Sequence, residues 1–366
     1  MPLTKQSAFI SQSPISVEIG GTNLVPFPPT LIIPAQNLQI NGELVGTGRG
    51  KWVNAIDYYG SLAGLSPTSF TFSDLEGIIG NFFTSIPSTI TSISAPNLVY
   101  IGGNLLQSPT SSLTTLNVPN LKYTNQIGSF GGNFSSLTTI NIGSLMAFVQ
   151  FNTAVTFSVL TVFDLSKLQF ILASFSATFS VLTSLNFSSL IYVGGSINIT
   201  APLMTTLTMP TLGTWKACFG NISLTSIALN QSSVDNLLSA LAYMDGANNT
   251  IAYSTGKTVT ITGTSSAPSN LGSTTTAGSN FVGSGTTCTV SLASHGYSTG
   301  DVLRISGITT LTFANRYAVI TVTNENQFTY TMSSPASLTG AGTATIVKAG
   351  ASAKALVTRG VTLATN

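Results

Sequence analysis

A single histidine, His295, is all the imidazole this 366-residue chain carries. Base-assisted nucleophiles and most zinc or iron sites need imidazole within reach of a second group, so that scarcity removes most of them. His295 sits in HGYSTGD and reads as a turn residue beside Gly296. The closest acidic pair, Asp74 and Glu76, lies two residues apart on a strand-to-turn segment and reads as a solvated edge. Paired-carboxylate hydrolysis would require a groove lined with acids and aromatics, which the surrounding sequence does not supply. GTGRGK, from Gly46 to Lys51, fails the phosphate-loop spacing because position 45 is Val and Lys51 is followed by Trp52; it reads as a glycine turn ending a strand. Cys218 and Cys288 have neither disulfide-framework nor zinc spacing and are expected to be buried free thiols. No catalytic centre, cofactor or metal is expected.

What remains for chemistry is hydrogen bonding. Only 6% of residues are charged, against about 25% in ordinary domains. Between Gly77 and Val234 the charged residues are Lys122, Asp164, Lys167 and Lys216, so Ser, Thr and Asn must make that region soluble. The net charge of +2 has no basic cluster behind it, and nucleic acid is not an expected partner. No apolar run approaches the roughly 18 to 20 residues of a membrane helix. The opening MPLTKQSAFISQSPISVEIGG lacks the basic start and apolar core of a secretory signal, which points to synthesis in a host cytoplasm and release by lysis or assembly.

The elements that would carry these polar groups repeat. ITSISAPNL, LTTLNVPNL, LTTINIGSL, LTVFDLSKL, LTSLNFSSL and MTTLTMPTL begin at 90, 113, 137, 160, 182 and 204, with an earlier copy at PTSFTFSDL near Pro67 and a degenerate one, LTSIALNQS, from Leu224. Intervals of 20 to 24 residues are the period of leucine-rich solenoids. Positions 1, 4, 6 and 9 of each unit are apolar, and the alternation around positions 4 to 6 is that of a half-buried strand. Leu116 and Val118 are therefore expected inward, Thr115 and Asn117 outward. Stacked strands would form a parallel sheet whose neighbours supply each other's core. The outward residues offered as a recognition surface are Thr115, Asn117, Thr139, Asn141, Asp164, Asn186, Thr206 and Thr208. Position 2 is a threonine column, Thr91, Thr114, Thr138, Thr161, Thr183, Thr205 and Thr225, read as strand propensity and turn capping rather than an ice- or glycan-binding ladder. Glycine pairs at 102/103, 131/132 and 194/195 read as tight turns or positive-φ positions.

These repeats, with second halves such as LVYIGGNLL and LIYVGGSINI, resemble the irregular leucine-rich repeats of the BspA-like surface proteins over residues 67 to 230. The resemblance implies a solenoid presenting a binding surface and says nothing of the partner. After it, SSVDNLLSALAYMDG places Val234, Leu237, Leu238, Leu241 and Met244 at helical spacing, with Ser232 and Asp235 as a capping box and Gly246 as the stop. The strand KTVTITG and the closing GASAKALVTRGVTLATN, a helix then a strand, resemble C-terminal caps of such repeats in phage and bacterial surface proteins. Between them lies an insert, roughly Asn270 to Lys348. Alternation in CTVSL, VLRIS, YAVITV and FTYTM, with turns at HGYSTGD, TNENQ and TGAG, predicts a small antiparallel barrel or sandwich. Its His295, Gly296, Gly300, Asp301, Ile305, Gly307, Phe328 and Tyr330 resemble a β-module of phage tail and other virion proteins, which implies attachment or display.

The expected fold is mainly β: a leucine-rich-repeat solenoid of parallel strands with an inserted small antiparallel β-domain. The expected divisions are an extended docking arm over 1–60, the solenoid and helical cap over 61–269, the insert over 270–348 and the cap's return over 349–366. The expected function is a non-enzymatic structural protein of a tailed-phage virion, a tail-fibre or host-binding component at the virion surface. Alternatives are a capsid decoration protein, a bacterial adhesin and, against the composition, a polysaccharide hydrolase. Expected partners are other virion proteins through the arm and a host-surface glycan or protein, with a homo-oligomer left open.

Overall fold

Alternation at positions 3 to 5 of the repeat yields three- and four-residue strands stacked in parallel. Ser69–Phe72, Ser92–Ser94, Thr115–Asn117 and Thr139–Asn141 pair in the register Ser69, Ser92, Thr115, Thr139, and Ser184–Asn186 pairs Thr206–Thr208 in the same way. The computed structural model describes residues 68–83, 86, 88–106, 112–127, 133–246, 250–266, 275–308, 316–332 and 338–365, with the strand segments Ser16–Ile19, Thr22–Pro26, Leu38–Ile40, Glu43–Gly46 and Trp52–Val53. Phe70, Ile93, Leu116, Ile140, Leu185 and Leu207 point inward and are buried, each such side chain contributing about 1.5–3 kcal/mol of transfer free energy. Leu212, assigned inward at position 9 of the last full copy, is instead 60% exposed, and the next large buried side chain is Trp215, whose indole N–H donates to the Ala217 carbonyl at 3.1 Å.

The second half of each coil forms another parallel ladder. Trp52–Val53, Gly77–Ile78, Tyr100–Asn104, Tyr123–Ile127, Ala147–Phe157, Phe175–Phe179, Ile197–Thr200, Ile222–Ile227, Thr258–Gly263 and Thr362–Thr365 follow one another across it. Between the ladders lies one apolar core, rich in phenylalanine; Phe134, Phe157 and Phe179 stack with centroids 5.4 Å apart from coil to coil. Here the glycine pairs serve a purpose different from the expected turns. A Cβ on Gly102 would lie 2.1 Å from the Ile79 carbonyl oxygen, and one on Gly194 2.0 Å from that of Leu172. Neither glycine has positive φ; each is the point where successive coils approach backbone to backbone. Gly131 and Gly132 lie outside the described residues.

The solenoid's end is closed by α1 (Gln231–Tyr243) and its surroundings. Val234, Leu237, Leu238, Leu241 and Met244 are buried as the spacing requires. The cap falls earlier than the capping box at Ser232 implied: Asn230 is the N-cap, its Oδ1 accepting from the Ser233 N–H at 2.9 Å and from the Ser232 hydroxyl at 3.0 Å. Ser233 faces inward, and its hydroxyl accepts the Leu207 N–H at 3.1 Å, so the helix satisfies the last strand of the first ladder. Thr258–Gly263 and Thr362–Thr365 are neighbours in parallel register, Thr258 with Thr362 and Ile261 with Thr365. The second helix, α2 (Ala351–Thr358), lies against α1, with the Ser239 and Ser352 hydroxyls 3.0 Å apart.

Chain leaving and returning between those two strands builds a seven-stranded antiparallel sheet, in the order Arg316–Val319, Val302–Ser306, Leu338–Lys348, Thr275–Ser284, Thr287–Ser291, Gln327–Thr331, Thr321–Asn324. Only Ile320 separates the two edge strands in the chain, so the sheet curls around its own core of Phe281, Val290, Leu303, Ile305, Ile320, Phe328 and Ile346. TGAG is not a turn but part of the eleven-residue strand Leu338–Lys348, with Gly340 opposite Phe281; pairing within the sheet overrides glycine's weak strand preference.

The module is seated on the cap, not projecting freely from it. Val302 and Tyr317 join the solenoid's core, and the buried Asp301 carboxylate meets Lys348 Nζ at 2.8 Å and Lys354 Nζ of α2 at 3.6 Å. Burial acts to raise the Asp301 pKa, but the Lys348 hydrogen bond, the Ser298 N–H and the two ammonium charges outweigh it and hold the carboxyl below its ordinary range. A depressed folded-state pKa stabilises above the unfolded value of about 3.9 and loses that contribution as pH falls through the folded value. Asp301→Asn is therefore expected to lower Tm at pH 7 and to flatten the fall of Tm between about pH 5 and the acid limit of folding. Equal acid limbs in melts of both proteins would refute this.

The expected arm over 1–60 falls largely outside the described residues. Within it, Leu38–Ile40 pairs antiparallel with Ser69–Phe72, and Trp52–Val53 pairs parallel with Gly77–Ile78, continuing both ladders.

Candidate functional site

On the first ladder, the residues between the buried ones line up in rows, one residue per coil, about 4.8 Å apart. Thr115 and Asn117 are half-buried, Thr139 and Asn141 exposed; Asn186 and Thr206 are half-buried and Thr208 exposed. All lie on strands of this face, the first four in one block and the last three in another. Asp164 lies between the blocks, where the fifth coil departs from expectation: residues 160–165 form no strand. Phe163 fills the inward slot, packed on Phe151, Phe157 and Phe179, while Val162 beside it is 68% exposed. Asp164 Oδ1 accepts the Ser166 N–H at 2.9 Å, and Asn186 Oδ1 accepts that of Ser188 at 2.8 Å.

Side chains along the rows are tied to one another. Asn141 Nδ2 donates to Asn117 Oδ1 at 2.9 Å, and Asn117 Nδ2 to the Ser94 hydroxyl at 3.1 Å. In the threonine column, the hydroxyls of Thr91, Thr114 and Thr138 donate to the carbonyls of Thr68, Thr91 and Thr114 at 3.0, 2.9 and 3.1 Å. At these three coils the column thus laces coil to coil, a role the repeat period alone could not distinguish from turn capping. Thr225 does not belong to it: Ile222–Ile227 is in the second ladder, and the Thr225 and Thr200 hydroxyls meet there at 2.8 Å. A further lacing row went unnoticed in the sequence, at position 8, where Asn97 and Asn120 donate to the carbonyls of Ser73 and Pro96 at 2.6 and 2.8 Å. Its signal was the recurrent Pro-Asn-Leu ending two units.

His295 and the two cysteines are engaged within the fold. His295 Nδ1 accepts the Tyr297 N–H at 3.0 Å, which leaves the proton on Nε2 to donate to the Asn324 carbonyl at 3.1 Å. Its ring stacks on Tyr297 and meets Phe328 edge-on. Both cysteines are free and buried, and burial pushes the Cys218 thiol up to about 12 and raises that of Cys288. Neither is a thiolate nucleophile in this state. GTGRGK lies outside the described residues beyond Gly46, the last residue of its strand. Among the described residues, no three His, Cys, Asp or Glu side chains are grouped to hold a metal, and no helix is long and apolar enough to cross a membrane. What the strand face can do is exchange hydrogen bonds over several coils with little charge: of all the residues at positions 2, 3 and 5 from Thr68 to Thr208, Asp164 alone is ionisable.

Comparison with protein-family models, curated proteins and solved structures gives no match.

Proposed function

We propose that the chain is a non-catalytic structural protein of a tailed-phage particle, built on BspA-like leucine-rich coils, that contacts the host surface through the neutral strand face of its solenoid. One observation carries the reading: rows of Thr, Ser and Asn, laced into place over successive coils, face solvent with a single ionisable residue among them. A surface that only needed to stay in solution would more commonly carry charge, whereas a laced polar array has already lost much of the side-chain freedom that binding would otherwise remove. The module's resemblance to virion β-domains and the seating of that module on the cap support a rigid display element.

Two experiments test the reading. Immunogold labelling of intact particles with antibody against residues 275–348 should mark tail tips or fibres; label over the head would make the protein a decoration component, and unlabelled particles would reject the virion assignment. Ser184→Lys and Thr208→Lys, both at exposed positions, should each weaken retention of the purified protein on host cells about tenfold, equivalent to about 1.4 kcal/mol. Thr321→Lys, exposed on the module, should leave it unchanged. Equal retention of all three would remove the strand face from the proposal.

A further inference from the structure

Resting on that attachment reading, we infer that the partner of the strand face is an uncharged polysaccharide, and that the interrupted fifth coil, at Val162 and Asp164, seats one of its sugar rings. The argument begins with charge. A ligand lying across positions 2, 3 and 5 meets the Asp164 carboxylate and no cation; Lys167, at the following corner, brings the local sum to zero. A polyanion such as an acidic glycan or a teichoic phosphate chain would find no matching field there, so the face selects against charge.

Hydrogen-bond polarity narrows the class further. Each of Thr91, Thr114 and Thr138 has committed its hydroxyl proton to the preceding coil's carbonyl, which leaves the oxygen's lone pairs as acceptors. Asn117 and Asn141 have each committed one amide N–H, which leaves a second N–H as a donor. Over the coils that begin at 90, 113 and 137 the face therefore offers acceptors at position 2 and, at Asn117 and Asn141, donors at position 5. A hydroxyl is both donor and acceptor, and a polymer of hydroxyl-bearing rings satisfies both rows where a hydrocarbon or a purely acceptor surface cannot.

The interruption supplies what a polar ladder lacks. Val162 is the one aliphatic residue at these outward positions and is 68% exposed. It stands between two strands, Thr139–Asn141 and Ser184–Asn186, that are sheet edges on the side facing it. A pyranose ring has an apolar C–H face and a rim of hydroxyls; Val162 flanked by Thr161 and Asp164 offers the same pattern in complement. Asp164 Oδ1 is held by the Ser166 N–H, so the carboxylate is fixed in orientation and Oδ2 is available to accept. Single contacts of this kind are weak, but a chain laid along the axis repeats them coil by coil, and linked contacts multiply.

Native affinity electrophoresis of the full-length protein tests this, with a neutral glucan or galactomannan in one set of gels and alginate or polygalacturonate in another. At least one neutral polymer should retard the protein, neither polyanion should, and about 0.5 M salt should leave the retardation intact. Val162→Lys and Asp164→Ala, both at exposed sites that leave the core untouched, should each raise the apparent Kd about tenfold, whereas Thr321→Lys should not. Retardation by no neutral polymer, retardation by the polyanions, or indifference to both fifth-coil substitutions would overturn the inference. Cell binding that Ser184→Lys weakens, with no neutral polymer retained, would leave the attachment reading standing with a protein or lipid partner; absent cell binding would remove that reading itself.

Discussion

Gly194→Ala is expected to cost more than about 3 kcal/mol, although it adds one methyl group to a residue whose φ is not positive. The added Cβ would fall 2.0 Å from the Leu172 oxygen and 2.8 Å from its carbon, both backbone atoms of the preceding coil. A flexible side chain could move aside, but these atoms belong to a hydrogen-bonded ladder in which Gly194 itself donates to the Ile171 carbonyl at 2.8 Å. Relief requires parting the coils, which loosens the neighbouring rungs because each coil depends on the next for its core. Gly285→Ala is the matched control: its φ is +58° and nothing lies within 4 Å of a new Cβ, so only left-handed strain of about 1–2 kcal/mol is expected. Denaturant midpoints for the two variants decide the matter. If Gly194→Ala shifts its midpoint no further than Gly285→Ala, close approach is not what requires glycine there.

Arg359→Ala is expected to lower stability by about 2–3 kcal/mol and to release the C-terminal end of α1. The last carbonyls of a helix have no intrahelical donors. Here one guanidinium, far along the chain, supplies them: Nη2 donates to Ala242 at 2.7 Å, Nη1 donates to Met244, and Nε reaches back to Ala355 of α2 at 3.3 Å. Truncation leaves several acceptors short at once, in a part-buried place where water can replace the lost donors only in part. Arg359→Lys should recover less than half of the loss, because a point charge cannot reproduce the fork. Hydrogen exchange should quicken along residues 231–244 and 351–365 in the alanine variant and hold steady in the first coils, at rungs such as Ser92–Ser94. Uniform exchange across all these segments would show that Arg359 ties nothing together.

Periodic burial was legible in the sequence at position 4 of the repeat, though not at Leu212, position 9 of the last full copy. A row of Ile, Leu and Phe at one slot of a 20- to 24-residue unit has one physical solution, and Phe70, Ile93, Leu116, Ile140, Leu185 and Leu207 occupy it. The covering helix followed from its own helical spacing of apolar residues, whereas the joining of the two cap strands was expected from the resemblance to repeat caps. Less legible was anything set by the distance between coils. Gly102 and Gly194 meet backbone of the preceding coil, at Ile79 and Leu172 respectively, and sequence shows the glycine without showing what stands opposite. Asn230 and Ser232 are both competent N-caps, and only the Ser233–Leu207 hydrogen bond, which turns Ser233 inward, fixes the choice. Thr225 fitted the threonine column by count, but a corner in the chain moved it to the other ladder. The candidate face was foreseen as a set of outward residues; its lacing and the break at the fifth coil depend on side-chain partners from neighbouring coils.

The pairing of Thr258–Gly263 with Thr362–Thr365 also dictates the order in which this chain can fold. Most earlier rungs join residues about one coil apart, and the step past α1, Ile222 to Val259, is still short, so the solenoid can grow from its first turns as they leave the ribosome. The last rung joins Thr258 to Thr362. By loop-closure entropy alone, a gap roughly four times longer costs about 1.3 kcal/mol more to close. Folding of the curled module first removes most of that cost, since Ala349 is then held by its N–H to the Val302 carbonyl at 2.9 Å and the remaining segment emerges beside its target. The last coil is thus completed by a segment that a separate nucleus delivers, and a slow final phase in refolding should vanish when the module is allowed to form first.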